Sequence, residues 1–456
     1  MVPSALRMKP PPDSKKIYQK CLHLAIPSTA EALFQSVAAC VDTMMVGVLS
    51  ASAISAVGIG SQVKFLLMAV IYALNASIVA VVARRKGSGD TESMQRCFGY
   101  ALILALTLSV IMSAIGYFSV DDILALLGAT PDYASDAALY VRWLLIGNIL
   151  SALSMAINSS LRGIGNAKVS MYSNVVANIV NVIMNYCLIS GHLGFPAWGI
   201  KGAAIATVLG NLTSFLISLY YVCGKKRELS LFRSFSMLSV NGKDIKAFWT
   251  VASGALVEQI FTRMGYMTYA GLVAHLGTIA FAVHSIALNL VDITFMLGTG
   301  IGSAASVTVG QSLGAERKDM AIMSRHACQR LAFLASLVVA VAFLIFPEGI
   351  ISLFNKDPEV IAAGTSIMVI LAACSVFQPQ MLVLSGSLRG AGDSKFVALC
   401  TLISLTFVRP FFAWIFCYPL GLGLVGAWIA MISDHVVRTS LNTYRCHGTK
   451  WLSIKL

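Results

Sequence analysis

The chain has 456 residues, of which 57% are hydrophobic and only 12% are charged, and its mean hydropathy is +0.79. A soluble domain carries roughly a quarter charged residues, so this composition excludes ordinary soluble enzymes, nucleic-acid-binding proteins and disordered scaffolds. The formal net charge of +13 is the excess expected when Lys and Arg collect in the cytoplasmic loops of a membrane protein. We therefore predict an all-α, multi-pass protein of the cell membrane.

Twelve segments are apolar over a length that can cross the hydrocarbon core, for which about 20 residues are needed. They are separated at Gly, Pro and clusters of charge. The predicted spans are 22–49, 54–84, 97–119, 133–160, 168–191, 199–224, 245–274, 278–311, 325–346, 360–388, 395–418 and 423–446.

Basic residues are distributed unevenly over the connecting loops. The two tails and the even-numbered loops hold 27 of the 33 Lys and Arg residues, whereas the odd-numbered loops hold only Lys201 and Lys356. Because basic loops remain in the cytoplasm, this distribution predicts that both termini are cytoplasmic.

The chain contains an internal repeat. The motif Leu-Arg-Gly-x-Gly occurs at 161–165 and again at 388–392, an offset of 227 residues that also relates Glu31 to Glu258. Each half holds six spans, so both halves insert in the same orientation as a parallel pseudo-twofold repeat around a central cavity, which is a transporter architecture. The predicted domains are a cytoplasmic tail at 1–21, an N-lobe at 22–224, a cytoplasmic inter-lobe loop at 225–243, a C-lobe at 244–446 and a second cytoplasmic tail at 447–456.

Four carboxylates lie well inside predicted spans: Glu31, Asp42, Glu258 and Asp292. A charge inside a span costs several kcal/mol by most scales, so each is a candidate ion-coupling residue. The alternative is that they form buried ion pairs that hold helices together, with Lys64 and Arg263 as available partners. These two cations are also candidate residues of the substrate cavity or its gate. Asp434, a turn from Arg438, is expected at a cytoplasmic helix end, solvated or paired.

Asp42 stands out because of its depth, about 10 Å below the outer end of span 1 at 1.5 Å per residue. Asn178, Asn181 and Asn185 recur at spacings of three and four, so they lie on one face of span 5. Asn185 has a similar depth to Asp42. The pattern therefore predicts a polar pocket in the outer half of the N-lobe, although amides in spans also serve as packing contacts between helices.

Several motifs, in order and in the right spans, resemble those of the multidrug and toxic compound extrusion (MATE) family. They are Pro27 with Val41-Asp42-Thr43-Met44-Met45-Val46-Gly47 in span 1, the repeated Leu-Arg-Gly-x-Gly, Gly202-Ala203-Ala204-Ile205-Ala206-Thr207 in span 6 and Val309-Gly310-Gln311-Ser312-Leu313-Gly314-Ala315 after span 8. The resemblance implies two six-helix lobes and export of amphipathic, often cationic compounds, driven by entry of protons or sodium. We expect a monomer that is not an enzyme, carries no cofactor and binds no nucleic acid.

The chain departs from the family pattern at two positions. Several members have a second aspartate on span 5 where this chain has Asn185, so Asp42 must act alone or with Glu31. Some sodium-coupled members have an acid on span 10 near the position of Gln378. Glu258 and Asp292, by contrast, match acids that other members have in spans 7 and 8.

The coupling ion is either H⁺ or Na⁺. Burial penalises the charged form of a carboxyl group, so Asp42 can exchange a proton and release a cationic compound when it is protonated from outside. Alternatively, Asp42, Asn181 and Asn185, with Thr207 as an additional ligand, supply the oxygens that Na⁺ requires.

Two further residues are assigned to the cavity or its gating. Pro27 removes a backbone hydrogen bond within span 1, which makes a bend inexpensive there, although a static kink fits the sequence equally well. His284 is alone on an apolar helix, where a satisfied core histidine is the more frequent finding.

Other transporter classes fit less well. A major-facilitator carrier would have an acidic and doubly basic loop motif after span 2, which residues 83–87 only partly resemble. A lipid or polysaccharide flippase of the same superfamily would line its cavity with many cations, and only Lys64, Arg142, Arg263 and Arg409 are available inside spans.

Overall fold

The computed structural model describes residues 13–224, 227–238, 242–454 and 456. Most of the predicted N-terminal tail and Lys225, Lys226 and 239–241 of the predicted inter-lobe loop lie outside the described residues. The N-terminal half contains α1 (Ser14–Gly47), α2 (Ala51–Ser88), α3 (Thr91–Leu126), α4 (Pro131–Gly163), α5 (Ala167–Ser190), α6 (Gly199–Val222) and the short α7 (Leu231–Ser236).

The C-terminal half repeats this order with more breaks. It contains α8 (Gly242–Ala274), α9 (Thr278–Gly314), α10 (Lys318–Ile345), the short α11 (Pro347–Ser352), α12 (Pro358–Ala391), α13 (Ser394–Thr401), a π-helical segment (Leu402–Val408), α14 (Arg409–Cys417), α15 (Gly423–His447) and a 3₁₀ helix (Lys450–Ser453). The described residues form no strand.

The predicted fold class is confirmed: the chain is an all-α membrane protein with twelve long helical spans in two lobes. Within the described residues, ten helices are long and apolar enough to span a membrane. The two other predicted spans correspond to α8 and α15. They are less apolar because α8 carries Glu258 and Arg263 and α15 carries Asp434 and Arg438. Most contacts between helices stay within one half of the chain, but α1 packs at least as extensively on α9 as on α5, and α2 packs on α8 and α9.

Most helices begin or end several residues away from the predicted limits, and three further differences concern α1, α7 and predicted span 11. Helix α1 begins at Ser14 rather than at 22, because Asp13 caps it by accepting a hydrogen bond from the Lys15 amide at 3.0 Å. The predicted inter-lobe loop contains α7. Predicted span 11 is interrupted by the π-helical segment, which immediately precedes Arg409 and Pro410. Proline has no amide hydrogen to continue the α-helical pattern, which accounts for the irregular backbone at this point.

The two lobes meet at the end of the bundle that carries Arg84, Arg85 and Lys86, which we call the basic end. A Cβ atom on Gly87 of α2 would lie 2.0 Å from the Gln311 carbonyl oxygen of α9, and one on Gly314 would lie 2.1 Å from that of Arg84. These two contacts are related by the 227-residue repeat. Only glycine permits helices to approach so closely, so the lobes are closed at the basic end.

Other contacts reinforce this closure. Buried side chains of α1, α9, α10 and α12 form one apolar cluster across the lobes, which includes Cys21 and Cys328. Asp244 at the start of α8 is buried and accepts a hydrogen bond from Arg85 at 2.9 Å. The segment after α15, predicted as a tail, is also packed: Trp451 is fully buried and the Ile454 carbonyl accepts from Arg84 at 2.7 Å.

Candidate functional site

A cavity of about 570 Å³ lies between α1, α2, α4, α5 and α6 of the N-lobe and α9 of the C-lobe. Such a volume is typical of pockets for small organic molecules. The side chains that line it are mostly hydroxyls and amides. Its lining comprises Ser28, Glu31, Ala32, Gln35, Ala39, Asp42, Lys64, Tyr72, Ser151, Ser154, Met155, Asn158, Arg162, Asn174, Ala177, Asn178, Asn181, Thr207, Gly210, Asn211, Ser214, Thr299, Gly300 and Ser303.

Asp42 lies on the cavity wall and is held by the amides of α5. Asn185 Nδ2 donates to Asp42 Oδ1 at 2.6 Å, and Asn185 itself is buried. In the amide orientation that satisfies both of its neighbours, Asn181 Nδ2 donates to the same oxygen at 2.8 Å and its Oδ1 accepts from the Thr207 amide at 3.2 Å. The structure therefore brings together the predicted pocket of Asp42, Asn181, Asn185 and Thr207.

Two further predicted residues line the same cavity. Lys64 of α2 is half-buried, lies near enough to Asp42 for their charges to interact, and forms no hydrogen bond or ion pair with any described residue. Asn178 also lines the cavity, and its buried Nδ2 has no partner in the described part of the chain. Unsatisfied polar groups of this kind are positioned for a ligand or for water.

Glu31 has a different environment from Asp42, although it also lines the cavity. Its carboxylate accepts from Arg162 Nη1 at 2.9 Å, from Asn174 Nδ2 at 2.6 Å and from Ser170 Oγ at 3.0 Å. The side chain is only 7% exposed. Glu31 is therefore part of a structural network that joins α1 to α4 and α5.

The sequence offered Lys64 and Arg263 as partners for the intramembrane acids, and the structure gives the two glutamates other partners. Glu31 pairs with Arg162, and Glu258 pairs with Arg389 at 3.0 Å. Both arginines belong to the repeated Leu-Arg-Gly-x-Gly motif. A signal for this pairing was present in the sequence, because one offset of 227 residues relates both the two glutamates and the two arginines.

The C-lobe candidates lie outside the cavity lining. Asp292 of α9 is exposed and has no ion pair or hydrogen bond within the described residues. Arg263 stacks on the Phe65 ring, with its Cζ atom 4.2 Å from the ring centroid, so it joins α8 to α2. His284 is 2% exposed among the rings of Tyr269, Phe281 and Trp428. This position corresponds to a core histidine and does not place it at the cavity.

Pro27 is buried within α1, one residue before Ser28 of the cavity wall, and α1 continues through it as a helix. In the C-lobe, Asp434 is fully buried rather than solvated. It pairs with Arg409 and with Arg438, the latter at 2.8 Å. The pairing with Arg409 was missed because Arg409 and Asp434 belong to different predicted spans.

The described residues contain no group of three or more His, Cys, Asp or Glu side chains that could hold a metal ion. The cavity offers hydrogen-bonding groups and charges around an empty volume, with one carboxylate held by neutral amides. This arrangement can bind a small molecule and exchange an ion.

A family model described as MatE matches the chain twice, over residues 27–187 and 255–415. The matches fall one in each half, as the internal repeat requires. The chain is 27% identical over 442 residues to the probable multidrug resistance protein NorM of Thermotoga maritima, covering 97% of this chain and 95% of that protein. It is 26% identical over 423 residues to the multidrug resistance protein MdtK of Yersinia pestis, covering 90% and 91%.

Solved structures share the fold over almost the whole chain. One, described as the outward-facing conformation of a multidrug resistance MATE family transporter of the MOP superfamily, superposes with a TM-score of 0.89 at 21% identity and covers 96% of this chain and 98% of its own. A second, of MATE in complex with MaL6, gives a TM-score of 0.89 at 22% identity and covers 94% and 96%.

Proposed function

Because the chain belongs to the MatE family, we propose that it is a secondary active multidrug efflux antiporter, which exports amphipathic organic compounds with a cationic group in exchange for protons. The relatives NorM and MdtK are named as multidrug resistance proteins. The observation that carries the proposal is Asp42, a carboxylate held by Asn185 at 2.6 Å on the wall of a 570 Å³ cavity between the lobes.

The proposed orientation has the basic end in the cytoplasm, with both termini on that side. It follows from the distribution of Lys and Arg. The N-lobe (22–224) and C-lobe (244–446) are then closed towards the cytoplasm by the contacts of Gly87 and Gly314. The proposal places the protein in the plasma membrane as a monomer, because the described residues of a single chain enclose a cavity of about 570 Å³.

Exchange requires that the compound and the ion compete for one group. Charged Asp42 attracts the cationic group of the compound, and protonation of Asp42 from outside removes that attraction, so the compound leaves. The cycle is driven because the proton prefers one arrangement of the lobes and the compound prefers the other. Pro27 lies in the same helix as Asp42 and lacks an amide hydrogen, so we assign to it the point at which α1 bends during the cycle.

The surroundings of Asp42 favour a proton over sodium. The groups that contact its carboxylate are amide N–H donors of Asn181 and Asn185, and the nearby charge is the Lys64 ammonium. A sodium ion requires several oxygen ligands, and a neighbouring cation opposes its binding. Sodium coupling would require the Asn185 amide to turn its oxygen towards Asp42 and Thr207 to contribute its oxygen.

The other acids take different roles in this proposal. Glu31 and Glu258 are each neutralised by an arginine, so they hold the lobes together instead of carrying the ion. Asp292 is exposed on α9, the one C-lobe helix that lines the cavity, and we assign to it the attraction of cations towards the entrance. A flippase for anionic lipid-linked substrates is disfavoured, because two cations and two carboxylates balance in the cavity lining.

Purified protein in liposomes tests the proposal, with a pH gradient and a sodium gradient imposed one at a time. We expect a fluorescent organic cation to be transported under the pH gradient alone. Asp42→Asn is expected to abolish this transport while the protein remains folded and monodisperse. Asp121→Asn is the matched control, because Asp121 is an exposed acid that pairs with Arg142 outside the cavity. Wild-type transport by Asp42→Asn would refute the role of Asp42, and transport under sodium alone would assign the other ion.

A further inference from the structure

Four charged residues in the described part of the chain line the cavity: two of them form an ion pair with each other, and the other two do not. Glu31 and Arg162 neutralise each other at 2.9 Å, and the remaining donors around Glu31 come from Ser170 and Asn174. Neither member of this pair presents a free charge to a ligand. Asp42 and Lys64 are the other two charged residues of the lining, and they are not joined in an ion pair.

Lys64 is the unusual member of this set. It is half-buried within a predicted span, where an ammonium group is costly unless it has a partner. No described residue gives it a hydrogen bond or an ion pair, and Asp42, which lies near enough for the two charges to interact, already accepts from Asn185. The cavity thus offers a carboxylate from α1 and, separately, an unpaired ammonium from α2.

The remaining wall is built for hydrogen bonding. Six of its residues are amides, from Gln35 on α1 to Asn211 on α6, and seven are hydroxyl residues of the Ser and Thr type. Tyr72 is its only aromatic ring within the described residues. A planar aromatic cation would find little surface for stacking, whereas a ligand with many polar groups would find partners on every side.

We propose that the compounds carried by this cavity are zwitterions of peptide-like polarity, whose ammonium group binds Asp42 and whose carboxylate binds Lys64. The inference deepens the proposed function and rests on it, since the ammonium group is the cationic group that competes with the proton. Among the described residues of the lining, protonation of Asp42 leaves Lys64 as the only charge without a counter-charge, and Lys64 repels the ammonium end. Release of the zwitterion therefore follows from the same event that drives the antiport.

Binding of three forms of one neutral tripeptide to the purified protein at pH 6.5 tests this inference by isothermal titration calorimetry. The forms are the free zwitterion, the C-terminal amide, which is a cation, and the N-acetylated peptide, which is an anion. We expect the zwitterion to bind roughly tenfold or more tightly than either other form, as a hydrogen bond to a charged group contributes.

Substitutions of Lys64 separate recognition from folding. Lys64→Gln is expected to reduce binding of the zwitterion to the level of the amide and to leave the amide unaffected or improved. Lys64→Arg keeps the charge and is expected to keep the preference. Lys201→Gln is the control, because Lys201 packs on the rings of Trp143 and Trp198 outside the cavity.

The inference and the proposed function fail in different ways. If the wild-type protein binds the amide as tightly as the zwitterion, or if Lys64→Gln keeps the preference, the inference is wrong even when proton-driven transport of an organic cation is observed. If the preference is found but neither ion gradient drives transport of any probe, the proposed function is wrong and the binding inference stands.

Discussion

Arg162 Nη1 lies 2.9 Å from Glu31 Oε1, and 227 residues further along the chain Arg389 Nη1 lies 3.0 Å from Glu258 Oε1. The same ion pair therefore ties the first helix of each lobe to the end of its fourth long helix. The duplication preserved both members of the pair, although only the N-lobe pair lines the cavity. The C-lobe pair is present although it does not line the cavity. We therefore explain the contact in both lobes by its contribution to the packing of each lobe.

The first prediction concerns the stability of the N-lobe. Arg162→Leu leaves the buried Glu31 carboxylate without its counter-charge, so we expect the free energy of unfolding to fall by about 3–5 kcal/mol. The double variant Glu31→Leu, Arg162→Leu is expected to recover part of this loss, because no buried charge remains. Thermal unfolding of the purified variants in detergent measures both effects.

The control for this prediction is the ion pair of Arg142 with Asp121, whose side chains are 41% and 68% exposed. An exposed pair contributes about 0–1 kcal/mol, so Arg142→Leu should change the unfolding midpoint little. Equal losses for Arg162→Leu and Arg142→Leu would show that the Glu31 pair is not a buried structural contact.

A second prediction concerns the closed basic end. Gly87→Ala places a Cβ atom 2.0 Å from the backbone oxygen of Gln311, so α2 and α9 must separate. We expect overpacking to disfavour the closed state by about 1–3 kcal/mol, which increases the population open at the basic end. Spin labels at Ser88 and Lys318, in a variant lacking the native cysteines, report the change as a longer distance in pulsed EPR spectra.

Gly58→Ala is the matched control on the same helix, because a Cβ atom there meets nothing within 4 Å. It should leave the distance distribution of the spin labels unchanged. If Gly87→Ala also leaves the distribution unchanged, the two helices have another way to accommodate the methyl group, and the glycine contact does not determine the closure.

The fold could be predicted almost completely from the sequence, for reasons that particular residues make clear. Apolar runs of the required length, broken at Gly, Pro and charge, located all twelve spans to within several residues at each end. The interruption before Pro410 was missed because the apolar pattern continues through it. The packed segment around Trp451 was missed because a short polar sequence after the last span gives no periodic signal, and its burial depends on contacts with α9 and α12.

The candidate site was predicted in part. The proximity of Asp42 and Asn185 could be predicted from their depth alone, since each lies a few residues from the outer end of its span. The partners of Glu31 could not be found by depth. Arg162 lies in the last turn of α4 and Asn174 on one face of α5, and tertiary packing determines which way each helix is turned. The same reason explains why His284, which the sequence analysis assigned to the cavity or its gating, lies instead among the rings of Tyr269 and Trp428.

A third prediction tests the orientation in the membrane by labelling single cysteines with an impermeant reagent. Positions Pro131, Lys356 and Gly421 are exposed between long helices at the end opposite the basic end, and Lys168 and Lys395 are exposed at the basic end. We expect the first three to react from outside intact cells and the last two only after permeabilisation. Reaction of Lys395→Cys from outside would reverse the proposed orientation in the membrane, because that orientation rests on the basic loops being cytoplasmic.

The last prediction separates the two ions through Asn185, whose Nδ2 lies 2.6 Å from Asp42 Oδ1. If protons couple, Asn185→Asp places a second carboxyl group beside Asp42, and two adjacent carboxyl groups resist being charged together. Efflux should then continue with its pH optimum moved to more alkaline values. If sodium couples, the additional negative charge should raise the affinity for sodium with little change in the pH optimum.

Asn185→Leu removes both the donor and the oxygen, so it should impair transport under either mechanism. Efflux measured across pH, with and without sodium, distinguishes these results. Normal transport by Asn185→Leu would reduce Asn185 to a packing residue and leave Asp42 as the whole of the coupling site.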